Sequence, residues 1–139
     1  MEFETTPGYL FLQTSNIFRV RLEREMNKIG LHYGQVFVLV SLWKNDGQSQ
    51  AELAKELRLS APTINKMVKN LAENKFVKST QSEKDNRVMP VFLTKEGRET
   101  EDAFAELFRA LQEDFFASLT KTEQLIFLQL CEKLKENIL

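Results

Sequence analysis

Helically spaced apolar residues, interrupted by short polar turns, dominate the middle of the chain. Ser49, with Glu52 three residues later, has the pattern of a capping box, so we expect a short helix from there to about Leu57. Ser60 has the side chain of a second N-cap, and Pro62 suits the first turn of a helix, where no intrahelical N–H bond is lost. The pattern therefore predicts two short helices joined by a tight turn.

The second of these helices, predicted from Ser60 to about Asn74, is amphipathic. One face carries an apolar stripe with helical spacing, formed by Ile64, Met67, Val68 and Leu71. The opposite face has no acidic residue before Glu73 and consists of Thr63, Lys66, Lys69 and Asn70, with Asn65 at its border. Lysine neutralises DNA phosphates, and Asn and Thr hydrogen-bond base edges, so this face is a candidate for reading a major groove. The alternative is an ordinary solvated helix surface.

Two strand-like runs follow, at residues 76–80 and 88–93. Pro90 has no N–H to donate to a neighbouring strand, so we expect the second run to lie at a sheet edge. The polar residues 81–87 between the runs are the expected tip of a hairpin. Arg87 on such a tip suits a minor groove, where the narrow width concentrates negative potential, and Asp85 is placed to orient it.

Longer helices are predicted on both sides of this central module. Apolar spacing indicates a helix over residues 8–29, a central helix over 36–43 that is apolar on nearly every face and therefore buried, and a long helix over 94–118. Thr120 with Glu123 forms a second capping-box pattern, which begins a last helix. Cys131 on that helix is expected to pack in the core.

The first and last helices carry more apolar side chains than one short chain can cover. Such an excess indicates a partner, and a two-fold homodimer is the commonest solution. The candidate dimerisation residues are Leu10, Phe11, Ile17, Phe115, Leu119, Phe127, Leu130, Leu134 and Ile138. The alternative is that these helices only cap the core of their own chain.

The ordered set of motifs resembles a known family. A helix-turn-helix carrying Ser-x-Pro-Thr at 60–63, a hairpin carrying Asp-x-Arg at 85–87 and a closing Leu-Thr-x-x-Gly at 93–97 are similar to the winged helix-turn-helix of the multiple antibiotic resistance regulator (MarR) family. The resemblance spans nearly the whole chain. Two positions depart from the family pattern. Lys75 stands where relatives usually have glycine, which predicts a positive φ at residue 74 or 75, and Asn86 stands where relatives often have a basic residue.

The resemblance implies a mainly α fold with a small β-hairpin wing, framed by N- and C-terminal dimerisation helices. It also implies a DNA-binding transcriptional regulator, most often a repressor, whose homodimer places two recognition helices in successive major grooves of a pseudo-palindromic operator. Relatives often release DNA when a small aromatic or acidic effector binds between the dimer helices and the winged module.

Candidate site residues follow from these expectations. The DNA-binding set is Ser49, Gln50, Ser60, Pro62, Thr63, Asn65, Lys66, Lys69, Asn70, Lys84, Asp85 and Arg87. The candidate effector pocket consists of Phe18, Tyr33, Phe37 and Trp43, for which core packing is the alternative.

The length of the chain and the distribution of its charges limit the possible domain organisation. A chain of 139 residues suits one domain, with a winged module over about 31–94 and a helical dimerisation region over about 1–30 and 95–139. Residues 48–95 hold nine basic and five acidic side chains although the whole chain has a net charge of −1, so a basic module lies within an acidic frame. The N-terminus lacks a signal-peptide pattern, and a single cysteine excludes an internal disulfide, so we expect the protein to be cytoplasmic. No apolar run is long enough to cross a bilayer, so we expect no membrane partner.

Catalysis finds little support in the sequence. With one histidine and one cysteine, and no recognisable nucleophile, phosphate-loop or metal-ligand spacing, we expect no enzyme activity, no cofactor and no metal. The competing function is a winged helix that binds another protein rather than specific DNA, and salt-dependent duplex binding separates the two.

Overall fold

The computed structural model describes residues 1–79 and 88–137. In chain order the elements are α1 (Pro7–Asn27), α2 (Val36–Lys44), β1 (Gln48–Ser49), α3 (Gln50–Leu57), α4 (Ala61–Glu73), β2 (Val77–Ser79), β3 (Pro90–Leu93), α5 (Lys95–Phe115) and α6 (Lys121–Glu136), with short 3-10 turns at Phe3–Thr5 and Tyr33–Gln35. The fold is mostly helical with one small antiparallel sheet, which confirms the predicted fold class.

Hydroxyl side chains set the starts of five helices. The N-caps are Thr6, Ser49, Ser60, Thr94 and Thr120, and each accepts the backbone N–H three residues further on. The capping box of Thr120 and Glu123 is complete, as predicted. The box predicted at Ser49 forms only in part. Its hydroxyl accepts the N–H of Glu52 at 3.1 Å, but the Glu52 carboxylate accepts the Ser49 hydroxyl rather than the backbone N–H of Ser49.

The sheet has three strands in the order β1-β3-β2, so β3 is central. The expectation that Pro90 marks an edge strand is therefore wrong. Pro90 is the first residue of β3 and pairs with Ser49 at the end of the ladder, where a strand tolerates the missing N–H. The strand that covers β3, β1, has only two residues, too few to show an alternating pattern in the sequence.

The core lies around α2, whose inward side chains meet α1, α3, α4 and α5. Val38, Leu39 and Leu42 of α2 are fully buried. Phe37 and Val40, however, are 45% and 44% exposed, so the expectation that α2 is buried on nearly every face is wrong. The winged module covers one side of this helix, and the face carrying Phe37 and Val40 is left open within one chain.

Helix α5 packs along α1 through its apolar side chains. Phe104 and Leu111 are buried, and Phe18 meets the Phe115 ring edge-on with a centroid distance of 5.0 Å. Helix α6 differs, because none of its residues from Lys121 to Glu136 is buried. Cys131 is half-buried, so its predicted place in the core is wrong.

The described helices include none that is both long and apolar enough to cross a membrane.

Candidate nucleic-acid interface

Helix α4 presents a polar face outward and an apolar face inward, as its sequence predicts. Ile64, Val68 and Leu71 are buried, and Met67 is partly buried against the same core. The predicted DNA-binding side chains on or next to this helix that are exposed to solvent are Ser60, Pro62, Asn65, Lys66, Lys69 and Asn70, and Thr63 is half-buried. The helix is therefore anchored by its back and offers two lysines on its front.

The residues that precede α4 have contacts of their own. Ser49 and Gln50 are buried, the first as the cap of α3 and the second as the acceptor for the side-chain N–H of Asn65 at 3.3 Å. The Ser60 hydroxyl accepts the N–H of Thr63 and lies 2.8 Å from its hydroxyl. The sequence predicts that Ser49, Gln50 and Ser60 contact DNA. The structure gives each an internal partner, and their contact with DNA stays a prediction.

The turn from α4 into β2 takes the conformation that the sequence requires. Lys75 has φ 62°, which confirms the prediction of a positive φ at residue 74 or 75. Its N–H bonds to the carbonyl of Ala72, and its own carbonyl accepts the Thr94 hydroxyl at 2.6 Å. This turn therefore joins the end of the candidate recognition helix to the start of α5. Arg58 at the end of α3 also has positive φ, 55°, which the sequence did not reveal.

Asp46 fastens the base of the wing, a role that sequence reasoning missed. One carboxylate oxygen accepts the backbone N–H of Leu93 at 2.9 Å, and the other accepts the Arg98 guanidinium at 2.6 Å. The next residue, Gly47, donates its N–H to the carbonyl of Val91. The sequence signal for this turn was the Asp46-Gly47 pair shortly after α2, because both residue types favour tight turns. The predicted wing-tip contacts Lys84, Asp85 and Arg87 lie outside the described residues.

A cavity of about 630 Å³ opens between α6 and the body formed by α1, α2 and α5. Phe18, Tyr33 and Phe37, three of the four predicted effector-pocket residues, line it. The fourth, Trp43, does not, so that prediction is wrong. Its indole N–H donates to the carbonyl of Gly97 at 2.9 Å and its ring packs on Phe104.

The cavity wall is almost wholly apolar, and Arg19 is its one charged side chain among the described residues. The Arg19 guanidinium lies 5.7 Å from the centre of the Tyr33 ring and bonds to Glu23 and Asn16. Cys131 also lines the cavity. Six predicted dimerisation residues do so too, namely Leu10, Phe11, Phe115, Phe127, Leu130 and Leu134. The cavity and the candidate dimer face are therefore one continuous apolar surface.

Comparison with known proteins finds relatives of this chain in one family. The MarR family model matches residues 31–89, from the loop before α2 to the start of the wing's last strand. A transcriptional repressor of Mycobacterium tuberculosis, Rv2887, is 27% identical over 127 residues, which cover 91% of each chain. Over the matched residues the chain is similar to the MarR family.

Solved structures extend the likeness beyond the part that the MarR model matches. A probable transcriptional regulator from Pseudomonas aeruginosa superposes with a TM-score of 0.84 at 22% identity, covering 96% of this chain and 99% of that one. The Rv2887 protein in complex with DNA superposes with a TM-score of 0.70 at 25% identity, covering 94% and 98%. A salicylic acid complex of Rv2887 gives 0.67 at 26% identity, covering 94% and 96%. The resemblance to this family that the sequence indicated, and the winged fold that it implies, are confirmed.

Proposed function

We propose that this chain is a sequence-specific DNA-binding regulator of transcription, acting as a repressor on a pseudo-palindromic operator. The observation that carries the proposal is helix α4, which buries Ile64, Val68 and Leu71 and exposes Lys66 and Lys69 on its opposite face. Support comes from the 27% identical relative, which is named a repressor and has been solved with DNA. In this proposal the chain performs no catalytic reaction and acts in the cytoplasm, where it has access to the chromosome.

Each protomer inserts α4 into a major groove. Lys66 and Lys69 neutralise phosphates at its rim, while Thr63, Asn65 and Asn70 approach base edges or the backbone. Arg87 on the wing enters the neighbouring minor groove. Two such helices bind half-sites whose centres are about one helical turn apart, so the operator mirrors the two-fold symmetry of the protein.

A homodimer supplies that symmetry. The first and last helices expose large apolar side chains, including Leu10 and Phe11 on α1 and Leu130 and Leu134 on α6. Since α6 buries none of its residues in one chain, its apolar side chains need a second surface to leave water. Residues 1–30 and 95–139 therefore form the dimerisation region, and residues 31–94 form the DNA-binding module.

A small effector that binds in the cavity releases the protein from DNA. The aromatic walls formed by Phe18 and Tyr33 suit an aromatic ring, and the Arg19 guanidinium suits a carboxylate. The salicylic acid complex of the Rv2887 relative supports this class of ligand. Because the cavity adjoins the dimer face, an occupant that favours another arrangement of the two protomers changes the spacing of the two α4 helices.

Fluorescence anisotropy with labelled duplexes tests the DNA-binding proposal. The wild-type protein is titrated against the duplex upstream of its own coding region and against random duplex, each at two salt concentrations. We expect tight, selective binding that weakens steeply with salt. Lys66→Ala and Lys69→Ala should each weaken binding and lower the slope of log K against log salt by about 1.

Lys121→Ala is the matched control for this titration. Lys121 begins α6, beyond the end of α5, and α5 runs for 21 residues away from the wing, about 31 Å. Loss of this lysine should leave the affinity and the salt slope unchanged. If Lys66→Ala and Lys69→Ala bind like the wild type, the proposed face of α4 is wrong.

The alternative function is a winged-helix module that binds another protein. In that case binding to every duplex should be weak and equal, and the α4 lysines should be idle surface charges. A genome-wide selection of bound fragments then separates a distant operator, which would be enriched, from a protein that recognises no sequence.

A further inference from the structure

Gln35 connects the turn before α2 to the outward side of the candidate recognition helix. Its side chain is 1% exposed. The Oε1 atom accepts the backbone N–H of His32 at 2.9 Å, and the Nε2 atom donates to Oδ1 of Asn70 on α4, also at 2.9 Å. Gln35 is thus a buried amide with both ends bonded, and one of its partners is a solvent-exposed residue of α4.

These two bonds fix the orientation of the Asn70 side chain. A backbone N–H can only donate, so the Gln35 atom that faces His32 must be the oxygen and the atom that faces Asn70 must be the nitrogen. The Asn70 atom that receives this nitrogen must then be its oxygen. Asn74 adds a longer contact from its own Nδ2 to the same oxygen at 3.4 Å.

The oxygen of Asn70 is consequently held by the protein. Its NH₂ group has no partner among residues 1–79 and 88–137 and can donate to DNA. We propose that Gln35 is a specificity-determining positioning residue, which makes Asn70 a hydrogen-bond donor toward DNA. This inference rests on the proposed function. Its chemical consequence is that Asn70 bonds an acceptor on DNA, either a base-edge atom such as guanine or adenine N7, guanine O6 or thymine O4, or a phosphate oxygen. The bidentate pairing of asparagine with adenine is disfavoured while Gln35 and Asn74 both contact the Asn70 oxygen, because that pairing needs a lone pair of the same oxygen for adenine N6.

Selection of bound duplexes from a randomised library, followed by sequencing, tests the proposal on the full-length protein. The variants are Asn70→Ala, which removes the donor, and Gln35→Met, which keeps the size of the side chain but frees the Asn70 oxygen. Gln48→Met is the matched control, because Gln48 is another buried amide whose side chain donates to Ser41 and Asn45 and, within the described part of the chain, not to α4. Thermal unfolding of each variant checks that it is folded.

The two possible acceptors give different results. If Asn70 contacts a base, Asn70→Ala loses the preference at one base pair of each half-site. Gln35→Met shifts the preference there toward adenine by about two- to tenfold, because the freed Asn70 oxygen can then accept from adenine N6. If Asn70 contacts a phosphate, both variants keep the wild-type consensus and bind about two- to tenfold more weakly. Gln48→Met should change neither the consensus nor the affinity.

A folded Gln35→Met protein with wild-type consensus and affinity would overturn the inference, and so would an equal effect of Gln48→Met. Should Gln35→Met fail to fold, the side-chain ¹⁵N spectrum of Gln35 gives a second test. In Asn70→Ala its NH₂ signals should shift and exchange faster with water, and unchanged signals would contradict the bond. If the wild type enriches no sequence at all, this result would contradict the proposed function and, with it, this inference.

Discussion

The α-carbon of Gly97 packs directly against the backbone carbonyl of Phe76. A methyl group on Gly97 would overlap the carbonyl oxygen of Phe76. The same oxygen accepts the N–H of Thr94 at 3.0 Å, and the Thr94 hydroxyl caps α5 by accepting the N–H of Gly97. The start of α5 is therefore held against the residue that precedes β2, and this contact explains the glycine in the Leu-Thr-x-x-Gly motif.

We expect Gly97→Ala to destabilise the protein by about 3 kcal/mol, because backbone rather than a flexible side chain must move to admit the methyl group. Urea unfolding at fixed protein concentration measures the change in the free energy of unfolding. Gly8→Ala is the control, since nothing lies within 4 Å of a Cβ at Gly8 in α1 and alanine favours helix by up to about 1 kcal/mol. Equal stability of the two variants would contradict the close contact at Gly97.

Lys75→Gly should stabilise the protein by about 0.5 kcal/mol. Lys75 has a left-handed backbone that costs a side-chain-bearing residue about 1 kcal/mol, and the greater freedom of glycine in the unfolded chain cancels part of the gain. The bonds of Lys75 use its backbone, so the substitution keeps them. The same unfolding measurement on Lys69→Gly, within α4, should show the opposite sign, with a loss of about 1 kcal/mol.

A charge on the apolar face of α6 should dissociate the homodimer. Leu130→Lys places an ammonium group on a face that we propose is buried between protomers, where a charge without a partner is strongly unfavourable. Sedimentation equilibrium should show a shift from dimer to monomer at micromolar concentration. Val88→Lys, at an exposed apolar position outside α1 and α6, should stay dimeric. A dimeric Leu130→Lys protein would place the interface elsewhere.

Arg19→Gln should weaken the binding of an aromatic acid in the cavity. Calorimetric titration with salicylate measures this affinity, and we expect a loss of about tenfold, the value of one charge-assisted hydrogen bond. Salicylamide, which has no carboxylate, should bind both proteins equally. Arg24→Gln is the control, since Arg24 lies on the same helix but outside the cavity wall. Identical salicylate affinities for the wild type and Arg19→Gln would show that Arg19 does not bind the carboxylate.

The sequence predicts those features that depend on neighbours along the chain. The hydroxyl caps at Ser60 and Thr120 act within three residues, and helical periodicity indicates which face is buried. These local rules locate α4, α5 and α6 and the amphipathic face of α4. The positive φ at Lys75 is expected from the resemblance to the MarR family, whose members usually have glycine at that position.

The features that sequence reasoning missed depend on contacts between distant segments. The two residues of β1 become a strand only because β3 lies beside them, and the paired residues Gln48 and Val91 are 43 positions apart in the chain. Asp46 reaches Leu93 and Arg98, and Trp43 turns from the cavity to bond Gly97. No local pattern specifies such partners, and the exposure of Phe37 likewise depends on which faces of α2 the other helices cover.

The half-buried thiol in the cavity wall has a practical consequence. Cys131 is the only cysteine in the sequence, and it lies on α6 beside the space proposed for an effector. A thiol-reactive fluorophore or a trifluoromethyl tag would therefore attach at one known place without any engineered cysteine. The rate of labelling, or the fluorine spectrum of the tagged protein, then reports whether the cavity is occupied. Compounds that bind in the cavity could therefore be screened with the native sequence.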